Sequence, residues 1–135
     1  MEETPTAPVR VLVVDDQAPF RMAAKAVLRR TEGFELVGEA ETGEEALELV
    51  ASLRPALVLM DINMPGISGI EATRRIVDEW PDTVVLLCST YQLSDLPADA
   101  ATSGAATYVN KEELAPTVIR RCWDERHDGA WRVAT

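Results

Sequence analysis

Apolar positions along this chain follow two rhythms that alternate. The run VRVLVV at residues 9–14 is β-branched and almost continuous, the pattern of a strand buried on both faces. From Pro19 the period becomes helical, with Phe20, Ala24, Val27 and Leu28 on one face and Gly33 closing the segment. Residues 34–40 set Phe34, Leu36, Gly38 and Ala40 against Glu35, Val37 and Glu39, as in a half-exposed strand. Thr42 and Glu45 form a T-x-x-E capping box. The helix they open carries Leu47, Val50 and Ala51 inward and stops before Pro55.

The alternation continues. Residues 56–60 (ALVLM) predict a fully apolar strand that ends at Asp61, and Pro65-Gly66 supplies a turn. Ser68 and Glu71 repeat the capping box and open a helix bearing Thr73, Ile76, Val77 and Trp80, which Pro81-Asp82 breaks. A strand at 83–88, a weak helix at about 96–103 stopped by Gly104, and a short strand at 107–110 follow. Leu114, Val118, Ile119 and Cys122 give the last helix its buried stripe.

Five strand–helix units in succession predict an α/β fold, a doubly wound (βα)5 with a parallel sheet and right-handed crossovers. The first, third and fourth strands are apolar throughout and belong in the centre. The second alternates and the fifth is short, which places both at edges. The order is then 2-1-3-4-5, the flavodoxin-like arrangement, with ligands expected at the carboxyl ends of the strands. A length of 135 residues suits one domain. The expected division is a flexible lead at 1–8, the domain at 9–128 and a tail at 129–135.

Composition narrows the function classes. Thirteen Lys and Arg against 23 Asp and Glu give a net charge of −10. Such a surface repels phosphate backbones, so no direct nucleic-acid binding is expected of this segment. No apolar run approaches the ~18–20 residues of a membrane span, and MEETPTAP has no signal-peptide pattern. Two distant cysteines, Cys88 and Cys122, form no disulfide framework. The expected location is therefore the cytoplasm. GxGxxG and GxxxxGK[ST] are both missing, which counts against nucleotide binding and against a flavin enzyme of this fold.

The chemistry collects where the predicted strands end. Asp15 and Asp16 follow the first strand and Asp61 the third. Ser89 and Thr90 follow the fourth, and Lys111 follows the fifth. Crowded carboxylates repel one another and imply a cation. Mg²⁺ suits hard oxygen ligands that leave room for water and a phosphate oxygen. Lys111 can neutralise Asp61 or hold a phosphoryl oxygen, a hydroxyl can donate to another, and an aspartate can act as the nucleophile.

These motifs resemble the receiver domain of bacterial two-component response regulators, the CheY-like fold. Asp15-Asp16 matches the acidic pair. LVLMDINMPGISG (57–69) matches the phosphoacceptor segment, LLCSTY the Ser/Thr position, and YVNK the Lys and the switch aromatic. GEAETGEEAL (38–47) is similar to receivers of the NarL/LuxR type. The resemblance implies Asp61 as phosphoacceptor and Ser89, rather than Thr90, as the switch hydroxyl, with Lys111 and Tyr108 completing the set. It implies Mg²⁺ held by Asp16, Asp61 and the backbone carbonyl of Asn63, with Asp15 acting through water. Asn63 and Tyr91 flank the approach of the hydrolytic water.

By the same resemblance, the partner is a sensor histidine kinase, and a homodimer on phosphorylation is open. Any catalysis amounts to self-phosphotransfer and slow autodephosphorylation, with transcription regulation as the output if an effector domain is attached. Glu112 stands where many receivers have Pro, and a cis bond at a non-proline residue is not expected.

Plainer readings stand beside these. Asp16 can simply cap the first helix, and Tyr108 can be a half-buried edge-strand aromatic. His127 reads as an exposed helix-end residue. Trp80, Trp123 and Trp131 read as packing residues, and Cys88 as an inert thiol within an apolar strand. The alternative function is a pseudo-receiver, a protein–protein module of the same fold that is never phosphorylated.

Overall fold

The structure is a computed structural model that describes residues 7–127 and 131–134. Of the expected lead, residues 1–6 lie outside the described residues. Strands β1 (Val9–Val14), β2 (Phe34–Ala40), β3 (Leu57–Asp61), β4 (Val84–Ser89), β5 (Thr107–Asn110) and β6 (Arg132–Ala134) form one parallel sheet in the order β2-β1-β3-β4-β5-β6. Helices α1 (Ala18–Arg29), α2 (Gly43–Leu53), α3 (Gly69–Glu79) and α4 (Pro116–Asp124) connect them. The 2-1-3-4-5 order of the flavodoxin-like, CheY-like fold is present.

Two expectations are corrected. The segment at 96–103 is no α-helix but a 3-10 turn, Ala98–Thr102, preceded by another at Leu93–Asp95. Pro97 precedes it, Gly104 at φ +97° follows it, and Ala100 is its one buried residue, too little apolar surface to hold a longer helix. The fifth strand is not an edge. Arg132–Ala134, within the expected tail, pairs with it, matching Tyr108 to Val133. Three residues are too short for a hydrophobic period to announce a strand.

Alternation along the strands sorts the core into two layers. Leu12, Val14, Val58, Met60, Val85, Leu87 and Tyr108 face α2 and α3, where Ala46, Val50, Ile70 and Ile76 meet them. Val11, Val13, Leu57, Leu59, Leu86, Cys88 and Val109 face α1 and α4, against Ala24, Leu28, Ile119 and Cys122. This is the period-two consequence of a pleated strand buried on both sides. Thr42 Oγ1 and Ser68 Oγ accept the Glu45 and Glu71 amides at 3.0 and 3.1 Å, so both predicted caps start helices. Glu45 closes its box one residue early, accepting the Glu41 N–H rather than that of Thr42. The three Trp side chains pack against the two layers, as expected.

Candidate phosphoryl-transfer site

The register leaves the strand ends nearly flush: Val14 pairs with Met60, Asp61 with Cys88, and Ser89 with Asn110. The residues just past those ends therefore gather at one rim. Asp15 and Asp61 continue the parity of Val13 and Leu59, toward α1 and α4. Ser89 and Tyr108 share the parity of Leu87, toward α2 and α3. The rim is thus split into a charged half and a hydroxyl half.

In the charged half, Asp15, Asp16 and Asp61 bring carboxylate oxygens within 4.8 Å of one another. Asp15 and Asp61 are buried and Asp16 is exposed. The Lys111 ammonium lies 2.6 Å from Asp15 Oδ2 and 3.4 Å from Asp61 Oδ1. Asp15 Oδ1 accepts the Gln17 amide at 2.8 Å, whereas Oδ2 has no hydrogen-bond partner beyond that ion pair. Asp16 does not cap α1: the N-cap is Gln17, with no side-chain cap bond.

Burial, and then the Asp15 charge, push the Asp61 carboxyl up to about 6 against the opposing pull of Lys111. Burial alone would lower Lys111, but the bond to Asp15 and the charges of Asp61 and Asp15 win and raise it. These are the signs of a carboxylate cluster short of positive charge. Three carboxylates and one ammonium offer hard oxygen donors and a surplus of negative charge, which fits a divalent cation such as Mg²⁺.

The hydroxyl half is neutral and fully partnered. Ser89 Oγ and the Tyr108 hydroxyl lie 3.0 Å apart. The Tyr108 hydroxyl also reaches the Ser89 and Tyr91 carbonyls, each at 3.0 Å. With a single proton, it donates to one carbonyl while receiving from Ser89. The Tyr91 amide donates to Ser89 Oγ at 3.2 Å, and Asn110 Nδ2 to the Tyr91 carbonyl at 3.2 Å. Ser89 is buried and Thr90 exposed, which separates the two candidates. Tyr108 is 1% exposed, so it is a core residue rather than a half-buried edge aromatic. Burial raises its phenol above the ordinary range. Asn63 Nδ2 donates to the Tyr91 hydroxyl at 2.8 Å and bridges the two halves across the mouth.

The loop after Asp61 is held by glycine. The Gly69 N–H donates to the Ile62 carbonyl at 2.8 Å, and a Cβ there would sit 1.8 Å from the Asp61 carbonyl oxygen. Gly66 adopts φ +82° facing the Glu44 carboxylate, a backbone that side chains resist. Away from the rim, burial drives the Cys88 thiol far up, consistent with an inert sulfur, and His127 is exposed, as expected.

Sequence reasoning missed two neighbours of the site. Phe20, read as a core position, lies under the Lys111 ammonium, with 4.5 Å from Nζ to the ring centroid. Arg21 Nη1 donates to the Asp15 main-chain carbonyl at 2.7 Å. Their only sequence signal is position, one helical turn past an acidic pair.

The chain is similar to known proteins in both sequence and fold. A family model described as a response regulator receiver domain matches residues 11–121. The chain is 37% identical over 111 residues to the transcriptional regulatory protein DegU of Brevibacillus brevis, which is 82% of this chain and 47% of that protein. It is 40% identical over 103 residues to the response regulator GacA of Pseudomonas aeruginosa, covering 76% and 48%. A LuxR-family two-component response regulator from an Aurantimonas species superposes with a TM-score of 0.81 at 29% identity, over 95% of this chain and 91% of that one. The chain spans about half the length of the curated relatives it matches.

Proposed function

This chain belongs to the response regulator receiver domain family, and from that premise we propose that Asp61 accepts a phosphoryl group from a phosphohistidine of a sensor histidine kinase. The observation that carries the reading is the bridging of Asp15 and Asp61 by Lys111 beside an exposed Asp16, a carboxylate cluster that one ammonium does not balance. An Asp61 carboxylate oxygen attacks phosphorus, the phosphorus–nitrogen bond breaks, and the donor imidazole leaves with the bonding pair. Positioning and charge neutralisation do most of the catalytic work in such a transfer.

Asp16, Asp61 and the Asn63 carbonyl would hold Mg²⁺ directly and Asp15 through water. When bound, the ion neutralises the carboxylates and draws the phosphoryl oxygens into line. Lys111 turns from Asp15 toward a phosphoryl oxygen, a charge-assisted contact worth roughly 1.5–3 kcal/mol. Ser89 exchanges its Tyr108 partner for a second phosphoryl oxygen. That exchange carries the signal to β5, a local charge event biasing a two-state element. Asn63 and Tyr91, joined across the mouth, lie in the path of hydrolytic water and set the lifetime of the acyl phosphate. No helix among the described residues is long and apolar enough to cross a membrane, and we place the reaction in the cytoplasm.

The test is intact-protein mass after incubation with Mg²⁺ and phosphoramidate. Wild-type protein gains one acid-stable, base-labile phosphoryl group, and Asp61→Asn gains none. A folded wild-type protein with no added mass would establish the pseudo-receiver reading instead.

A further inference from the structure

We propose that Phe20 and Arg21, consecutive residues in the first turn of α1, are positioning residues for opposite sides of the site: Phe20 holds the Lys111 ammonium and Arg21 holds the Asp15-Asp16 turn. The inference rests on the phosphoacceptor reading and assigns two side chains that the acidic pair, Asp61, Ser89 and Lys111 do not include.

Phe20 is half-buried, packed against the layer that contains Leu28 and Val109, so its ring is fixed from below. Its face lies 4.5 Å from Lys111 Nζ, within the range where a ring attracts a cation. Asp15 at 2.6 Å and Asp61 at 3.4 Å pull the ammonium along the rim, and the ring sets its position relative to α1. Lys111 begins the 3-10 turn Lys111–Glu113 beyond β5 and has a long flexible stem, so this third contact restricts where its charge can sit.

Arg21 is stretched between two elements. Its Nε lies 3.3 Å from Glu39 Oε1 on β2, while Nη1 donates to the Asp15 carbonyl at 2.7 Å. Its side chain is 15% exposed. The Asp15 amide in turn donates to the Ala40 carbonyl at 3.0 Å, so the residue that starts the acidic turn is anchored at both ends. Asp16, the next residue, has its peptide plane set by the carbonyl that Arg21 holds.

The two roles separate by sign and by readout. Removing the positive charge of Arg21 strengthens cation binding on Coulomb grounds alone, whereas loosening the turn weakens it. Arg21→Met, which keeps the stem, is expected to weaken Mg²⁺ binding about tenfold, the scale of losses when a supporting contact behind a metal ligand is removed. Mg²⁺ affinity is read by NMR titration of the Asp15–Gln17 amides. Unchanged or tighter binding overturns the role of Arg21. Phe20→Leu keeps apolar volume and removes the ring. It is expected to leave Mg²⁺ affinity within about twofold of wild type while slowing phosphoramidate labelling about three- to tenfold, the range of an exposed to half-buried cation–π contact. In metal-free protein the Lys111 side-chain protons lose their upfield ring-current shift in the same variant. Unaltered Lys111 shifts or an unaltered labelling rate overturn the role of Phe20. So does an equal fall in both Mg²⁺ affinity and rate, which marks general loosening. If wild-type protein itself binds no Mg²⁺ and takes no label, the phosphoacceptor reading fails, and the Lys111 shifts still decide the Phe20 contact.

Discussion

The two halves of the rim are built on different physical terms. Toward α1 lie groups that oppose one another: two buried carboxylates, an exposed third, and a lysine that satisfies one better than the other. Toward α2 and α3 lie Ser89, Tyr91 and Tyr108, neutral groups whose hydrogen bonds close among themselves. The charged half stores a need for positive charge, and the hydroxyl half stores none. On the proposed function, a phosphoryl group and its cation would act on the first half directly. On the same reading they reach the second by offering Ser89 a better acceptor, beside the Asn63–Tyr91 bond that already joins the halves. The connecting chain differs in the same sense. A helix of 12 residues, α1, carries the chain from β1 to β2 beside the charged half, whereas short 3-10 turns carry it from β4, which ends in Ser89, to β5, which holds Tyr108. Short turns with little buried surface open at lower cost than whole helices, which suits the half proposed to respond.

The largest effect should come from the charged half. Asp61→Asn removes phosphoryl labelling entirely, by mass, and also removes a pH dependence. Because the folded carboxyl titrates near 6, above its ordinary value of 3.8, the folded state binds the extra proton between those values. Metal-free stability is then highest below about pH 4 and falls as pH rises toward 6, as far as this group is concerned. Urea titrations across that window should show the fall in wild type and a flatter profile in Asp61→Asn.

Gly69→Ala comes next. Its methyl group meets the Asp61 carbonyl oxygen, and backbone cannot yield as a flexible side chain can. A loss of about 2–4 kcal/mol in chemical denaturation is expected, with labelling impaired in parallel because the strand end carrying Asp61 shifts. Tyr108→Phe tests the other half. It should cost about 1–2 kcal/mol for the hydroxyl contacts to Ser89 and Tyr91. Asp61 labelling should stay near wild type, while the chemical-shift response of β5 to beryllofluoride shrinks. Equal losses of labelling and response would erase the distinction between the halves. The smallest effect belongs outside both. Thr42→Ala removes the α2 cap bond to Glu45 and should cost about 1 kcal/mol by thermal denaturation, with site chemistry unchanged.

Much of this molecule is written locally. Strand and helix rhythms, the capping pairs Thr42–Glu45 and Ser68–Glu71, and the positions of Asp15, Asp16, Asp61, Ser89 and Lys111 at or just past the ends of their strands all follow from neighbours in sequence. Backbone period and side-chain caps are short-range effects. The parallel order was legible too, because apolar content tells a central strand from a half-exposed one.

Other features needed the third dimension. Pairing of Arg132–Ala134 with β5 depends on a partner more than twenty residues away and leaves no periodic trace in three residues. The segment before β5 carries helix-forming alanines, yet within Ala98–Thr102 packing offers a buried place only to Ala100, and the turn stays 3-10. Tertiary structure alone set the Lys111 ammonium closer to Asp15 than to Asp61, placed Phe20 beneath it, joined Asn63 to Tyr91 and stretched Arg21 from Glu39 to the Asp15 carbonyl. Sequence determines which groups arrive at the rim, because strand ends are fixed by local pattern. Long, flexible side chains choose among several partners there, and that choice is made by distances that exist only once the sheet has closed.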